Sequence, residues 1–230
     1  MIQDKLSQEI ANDIFDFVKQ NKISVYNEKT LKGALRHIVI RYGKKTEEVM
    51  VTLVTNQRKI EKELELVKYI TEKYSQIKTI VKNINDKNTN VILGRKNEVL
   101  FGEGYIYDYL GEFKFKISPM SFYQVNPIQT EKLYSKAVEY ACLTGCETVF
   151  DLYCGIGTIG IFASKYFKKV YGIEIVKQAI EDAKYNAKIN NIDNILNGVD
   201  EILRTKITNI KKNNLEEEEI LRRLNNKLPL

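Results

Sequence analysis

The chain has 230 residues, 43% of them hydrophobic, and 36 Lys and Arg against 30 Asp and Glu give it a net charge of +6. That composition suits one or two globular domains and excludes a disordered protein. No apolar run reaches the ~18 residues that span a bilayer, the amino terminus lacks a signal-peptide layout, and three cysteines without C-x-x-C spacing indicate neither a disulfide framework nor a metal site, so the chain reads as cytoplasmic with reduced thiols.

In chain order, Ile2, Leu6, Ile10, Ile14, Phe17 and Val18 recur at three- and four-residue intervals, which predicts an amphipathic helix over residues 2–20. From Leu35 to Thr55 two β-branched runs flank Gly43–Glu48, predicting a hairpin with a basic tip; His37, the only histidine, reads as a strand-edge residue. A second helix is predicted over Ile60–Tyr74, then short strands around 77–81, 90–93 and 99–101, with a polar turn over 83–90. Phe113, Phe115 and Ile117 alternate with Lys114 and Lys116, the period of a strand with one face buried. Those lysines are expected to face solvent or a phosphate backbone. Residues 1–120 hold 21 Lys and Arg against 16 Asp and Glu, so the positive excess lies in the first half, as suits a polyanionic partner such as RNA.

Ser118–Pro127 leads into a further helix, with Asn126 placed to cap it and Pro127 in its first turn. The stretch Thr148–Gly160 then runs from an apolar strand through Asp151 and Tyr153 into closely spaced glycines, Gly155 and Gly157, where the backbone has to turn sharply and admit a ligand. A second strand, Val170–Ile175, carries Glu174 about 20 residues from the first glycine, where an acid accepts hydrogen bonds from ribose hydroxyls. Gly155, Gly157 and Gly160 also fit G-x-G-x-x-G, which keeps an NAD-type dinucleotide-binding oxidoreductase open as an alternative.

The runs Ser121–Tyr134, Val149–Ile159 and Val170–Glu174, with Leu35–Ile40, Leu53–Asn56 and Asn83–Lys87 earlier, resemble the S-adenosylmethionine-dependent RNA uracil-5-methyltransferases, which form 5-methyluridine in ribosomal or transfer RNA. The resemblance runs to about Asn194. It implies an α/β fold in which a small α+β central module (1–117, RNA-binding) precedes an incomplete Rossmann-like class I methyltransferase domain (118–200); residues 201–230 read as a charged helical tail outside the family pattern. It also implies that Gln124, Tyr153 and Glu174 contact S-adenosylmethionine, that Asp151, Gly155 and Gly157 shape its pocket, and that Phe122 lies near the target base. The family's D-P-P-R segment and the cysteine nucleophile after it have no counterpart, since the only prolines are Pro119, Pro127 and Pro229. Cys154 belongs to the glycine turn and is expected to pack there. No catalytic residue is therefore assigned. The chain is read as truncated at both ends, either a split enzyme completed by a separate C-terminal polypeptide or a non-catalytic RNA-binding remnant.

Overall fold

The computed structural model describes residues 4–198, so Ile2 and the expected helical tail over 201–230 lie outside the described residues. Asp4 opens α1 (Lys5–Gln20): its carboxylate accepts the Leu6 amide at 3.0 Å, satisfying one of the free donors of the first turn. Ile10, Ile14 and Val18 then form one buried stripe against a four-stranded sheet. The expected hairpin is formed by β1 (Leu35–Tyr42) and β2 (Val49–Thr55), with Tyr42 opposite Val49 and Leu35 opposite Thr55. α2 (Glu63–Lys73) returns the chain so that β3 (Ile77–Ile84) lies parallel to β2, and β4 (Lys96–Gly102) completes the order β1-β2-β3-β4.

β2 is buried along its whole length, as a central strand with an unbroken apolar run requires. Val49, Val51 and Leu53 join the core that α1 and α2 contribute to, while Met50, one residue out of phase, reaches a second core. That second core is lined by the hairpin of β5 (Ile106–Leu110) and β6 (Phe113–Ile117) and by residues of α3 (Pro127–Ala141), α4 (Thr158–Phe162) and α5 (Lys177–Ile189). Behind these helices β7 (Thr148–Leu152), β8 (Lys169–Ile173) and β9 (Ile195–Gly198) form an all-parallel sheet in the order β7-β8-β9, the Rossmann-like α/β arrangement expected. No described helix is long and apolar enough to cross a membrane.

Two local expectations change. Residues 90–93 are not a strand: the chain is irregular there, because the buried Asn85 amide donates to the Val91 and Ile92 carbonyls at 2.7 and 3.0 Å, taking groups a ladder would need. β5 was not anticipated. Its inward residues are Ile106, Asp108 and Leu110, and the buried acid in the middle hides the alternation.

The basic tip of the first hairpin is fastened down. Asp108 accepts the Lys44 and Lys45 amides at 3.0 and 2.9 Å, and the Lys45 ammonium donates to the Gly111 carbonyl and to Glu131 of α3, both at 2.9 Å. The outer edge of β6 is held by side chains. Asn186 and Asn190 of α5 accept the Lys116 and Lys114 amides at 2.8 and 2.9 Å, so an edge strand is completed by a helix.

Candidate functional site

Parallel strands gather their following loops at one edge of the sheet, so the residues after β7 and β8 share a cleft at the carboxyl ends of these strands. Tyr153, Gly155 and Gly157 all adopt left-handed backbone there, with φ of 66°, 55° and 83°. For glycine this costs nothing, whereas for tyrosine it is a strained conformation of the kind held at binding sites. A Cβ at Gly155 would meet nothing within 4 Å, so the turn borders open space. The Tyr153 ring is 72% exposed beside it.

Glu174 reaches back across the turn. Its Oε2 accepts the Gly155 amide at 3.2 Å, and its Oε1 accepts the Ile175 and Val176 amides at 2.7 and 2.9 Å. The carboxylate is thus aimed at the glycine turn with one lone pair of Oε2 still free. Asp151 lies beneath, accepting the Gly160 amide at 3.2 Å. Burial pushes its carboxyl above the usual carboxylate range, with the Gly160 bond opposing. Cys154 is buried, and burial together with the Asp151 and Glu174 charges pushes its thiol up to about 12. It is held as a packed thiol, not a thiolate. Cys142 and Cys146 are exposed ahead of β7, at the amino-terminal end of the sheet, opposite the cleft.

The loop before α3 is positioned by α5. Ser118 and Ser121 donate to the buried Asp182 at 2.8 and 3.3 Å, and Asn186 donates to the Ile156 carbonyl in the glycine turn at 3.2 Å. One helix therefore fixes both the loop and the turn. Asn126 accepts the Gln129 amide at 3.1 Å and Pro127 occupies the first turn of α3, as expected. The hydroxyls of Tyr134 and Thr158 lie 3.1 Å apart, and burial raises the Tyr134 pKa with the Thr158 bond opposing it. Tyr134 thereby ties α3 to the start of α4, next to the glycines, and Gln124 lies in the loop ahead of α3.

Gln124 lines a cavity of about 290 Å³ shared with Arg41, Tyr42, Asp108 and Tyr123. Two buried polar atoms there, Arg41 Nε and Tyr123 Oη, have no hydrogen-bond partner among the described residues. Burial lowers the Arg41 pKa, and the guanidinium's Nη2 donates to the Pro119 carbonyl at 3.2 Å. Unpartnered buried donors are costly. Phe122 projects from the loop, 72% exposed.

The structure thus brings Asp151, Tyr153, Gly155, Gly157 and Glu174 together, places Gln124 in the loop that α5 fixes together with the glycine turn, and leaves Phe122 free in solvent. Lys114 and Lys116 are not free surface charges: their ammonium groups lie 4.0 and 4.5 Å over the Tyr107 and Tyr105 rings, and Lys116 also faces Asp182 at 3.7 Å. The sequence reading missed Arg41, Tyr123, Asp182 and Asn186. The last two are polar residues four apart on α5, a helix the sequence reading did not delimit.

The model of the tRNA (Uracil-5-)-methyltransferase family matches residues 1–226. An uncharacterized RNA methyltransferase of Clostridium acetobutylicum is 55% identical over 193 residues, covering 84% of this chain and 42% of that protein. One from Clostridium tetani is 49% identical over 194 residues, with the same coverage of 84% and 42%. The chain therefore spans less than half the length of these relatives. Among solved structures, the Pyrococcus abyssi tRNA (uracil-54, C5)-methyltransferase in complex with S-adenosyl-L-homocysteine superposes with a TM-score of 0.69 at 33% identity, over 85% of this chain and 46% of that one. On the family match over residues 1–226, the chain belongs to the tRNA (uracil-5-)-methyltransferase family.

Proposed function

We propose that residues 118–198 bind S-adenosylmethionine in the cleft at the ends of β7 and β8, and that residues 1–117 contribute to holding an RNA whose target uridine enters the neighbouring cavity. The observation that carries this reading is the position of Gln124, in the loop that α5 fixes together with the glycine turn and at the lining of the cavity of Arg41 and Tyr123. The open space over Gly155 accommodates a ligand, the free lone pair of Glu174 accepts a ribose hydroxyl, and Tyr153 offers its ring as a flat apolar wall. Glu174 has to release the Ile175 or Val176 amide to accept the second hydroxyl. Gln124 has a donor and an acceptor for the amino and carboxylate groups of the amino-acid tail. When bound, S-adenosylmethionine supplies a methyl group on a sulfonium.

On the base side, the side chains of Arg41, Asp108 and Tyr123 border the cavity that receives the uracil, and Phe122 stacks on a base turned out of its strand. The cysteines at hand are either packed or on the far edge, so the nucleophile for C6 of uracil is assigned to a polypeptide segment other than these 230 residues. The RNA encountered is cytoplasmic.

Calorimetric titration of the full chain with S-adenosylhomocysteine tests the cofactor site. Binding tighter than that of NAD, with Glu174→Ala about tenfold weaker through loss of a charge-assisted hydrogen bond of ~1.5–3 kcal/mol, is the expected result. Equal affinity in both forms removes Glu174 from the site, and tighter NAD binding replaces the reading with a dinucleotide enzyme.

A further inference from the structure

At the opposite end of the first sheet, where β2 and β3 end and β4 begins, the chain encloses an open cavity of about 720 Å³. Its volume falls in the range of about 300–1,000 Å³ typical of small-ligand pockets. Four cations, Arg58, Lys87, Arg95 and Lys96, line it against a single acid, Asp86. All four are exposed, and among the described residues none has a carboxylate within ion-pairing distance. The nearest other acid, Glu98, is held by Lys82 at 2.8 Å, though its lowered pKa also reflects Arg58 and Lys96.

The wall is not a loose loop. Asn83, fully buried, donates to the Gly94 carbonyl at 3.0 Å and accepts the Gly94 amide at 2.6 Å. Asn85 holds the Val91 and Ile92 carbonyls, and Arg36, its side chain 1% exposed, donates to the Asn85 and Lys87 carbonyls at 2.9 and 2.8 Å. Gly94 is required as well, because a Cβ there would lie 1.8 Å from the Ile84 carbonyl oxygen. These clamps turn the backbone inward and push Val91 and Ile92 out, 61% and 50% exposed at the rim. A pocket of fixed shape with unpaired cations inside and apolar side chains at its edge matches a nucleotide, phosphate inward and base face against the rim.

We propose that this pocket is a second RNA site that grips the phosphate backbone and a base of the substrate strand away from the modified uridine. The proposal rests on the RNA methyltransferase reading above. β1 spans the two sites, since Arg41 and Tyr42 border the base cavity and Leu35 lies beside Thr55 at the other end. At ~3.3 Å per residue the separation is about 20–25 Å, or roughly seven nucleotides of a stacked strand spaced at 3.4 Å and fewer of an extended one.

The test measures binding of a labelled 12-nucleotide single-stranded RNA to the full chain across a salt series, with S-adenosylhomocysteine affinity followed in parallel. Arg58→Gln with Arg95→Gln should weaken RNA binding about tenfold and lower the salt slope by about 1.4, since each phosphate contact to a single strand contributes ~0.7. S-adenosylhomocysteine affinity should not change. Removing the same charge at the exposed Lys19 and Lys68 should move the slope far less. Three results overturn the proposal: no RNA binding by the unaltered chain, an equal effect from the control pair, or displacement of the RNA by uridine monophosphate or inorganic phosphate at the RNA's own concentration, which would make this a free-nucleotide or anion site. Failure to bind S-adenosylhomocysteine counts against the cofactor reading alone, because the two affinities are read separately.

Discussion

At the scale of single residues, the cleft shows how conformation and charge are set by neighbours. Tyr153 keeps a backbone conformation that glycine would adopt without strain, and the residue at that position presents the ring where a ligand would lie. Glu147, in the turn leading to β7, illustrates a charge whose value is structural. Its carboxylate accepts the Thr144 hydroxyl and amide at 2.6 and 3.0 Å and the Gly145 amide at 3.1 Å, and these bonds, the Thr144 pair foremost, draw its pKa down to about 2. A folded-state pKa below the unfolded one stabilises at pH above the unfolded value, and the contribution is lost as pH falls from about 4.5 through 2. Asp151 acts in the opposite sense, since burial raises its pKa and protonation relieves the cost. Glu147→Gln should therefore lower the melting temperature at pH 7, and the gap to the unaltered chain should narrow between pH 4.5 and 2. A gap constant over that range in parallel thermal scans rules this role out.

At the scale of elements, α5 does the joining. Asp182, Asn186 and Asn190 recur every four residues: Asp182 holds the loop before α3, Asn186 the glycine turn and β6, and Asn190 β6 alone. Asn186→Ala would leave the Lys116 amide and the Ile156 carbonyl without partners, at ~1–3 kcal/mol for each buried group. The expected loss is on the order of 2–4 kcal/mol in urea unfolding, with S-adenosylhomocysteine affinity falling in the same variant because the turn is released. Unfolding unchanged within about 0.5 kcal/mol would show that these bonds are replaced by water. This ladder also marks where sequence stops being informative. Apolar spacing is a one-dimensional signal, and it placed α1, α2, the first hairpin, β6, α3 and the strand-turn-helix of the cleft. A polar ladder is satisfied by backbone groups some 70 residues away, so nothing near Asn186 and Asn190 in the sequence announces their role. Asp108 concealed β5 for the same reason, its partners being the amides of a distant hairpin tip. Asp151, Gly155, Gly157 and Glu174 were legible because their partners lie within about one βαβ unit.

At the scale of the whole molecule, two sheets share the work through a common middle layer, with Met50 of the first sheet embedded in the core of the second half. The second sheet is unevenly covered. Val149 and Val170 are packed under helices, whereas Phe150 and Leu152 on the other face are 38% and 48% exposed, and among the described residues β7 pairs only with β8. An open edge beside an apolar face invites association. The isolated chain should self-associate at tens of micromolar in sedimentation velocity runs, and Phe150→Lys should shift it toward monomer. A monomer at every concentration without the substitution would mean that this face is covered.

The ladder on α5 bears finally on how the two ligands would meet. Because one helix grips the hairpin, the loop that carries Gln124 and the turn that carries Gly155, the spacing between the cofactor cleft and the base cavity is set before either ligand arrives. Reactant alignment is then a property of the folded chain, not a conformational cost met at each encounter, and a fraction of an ångström in the seating of α5 becomes the tolerance of the reaction.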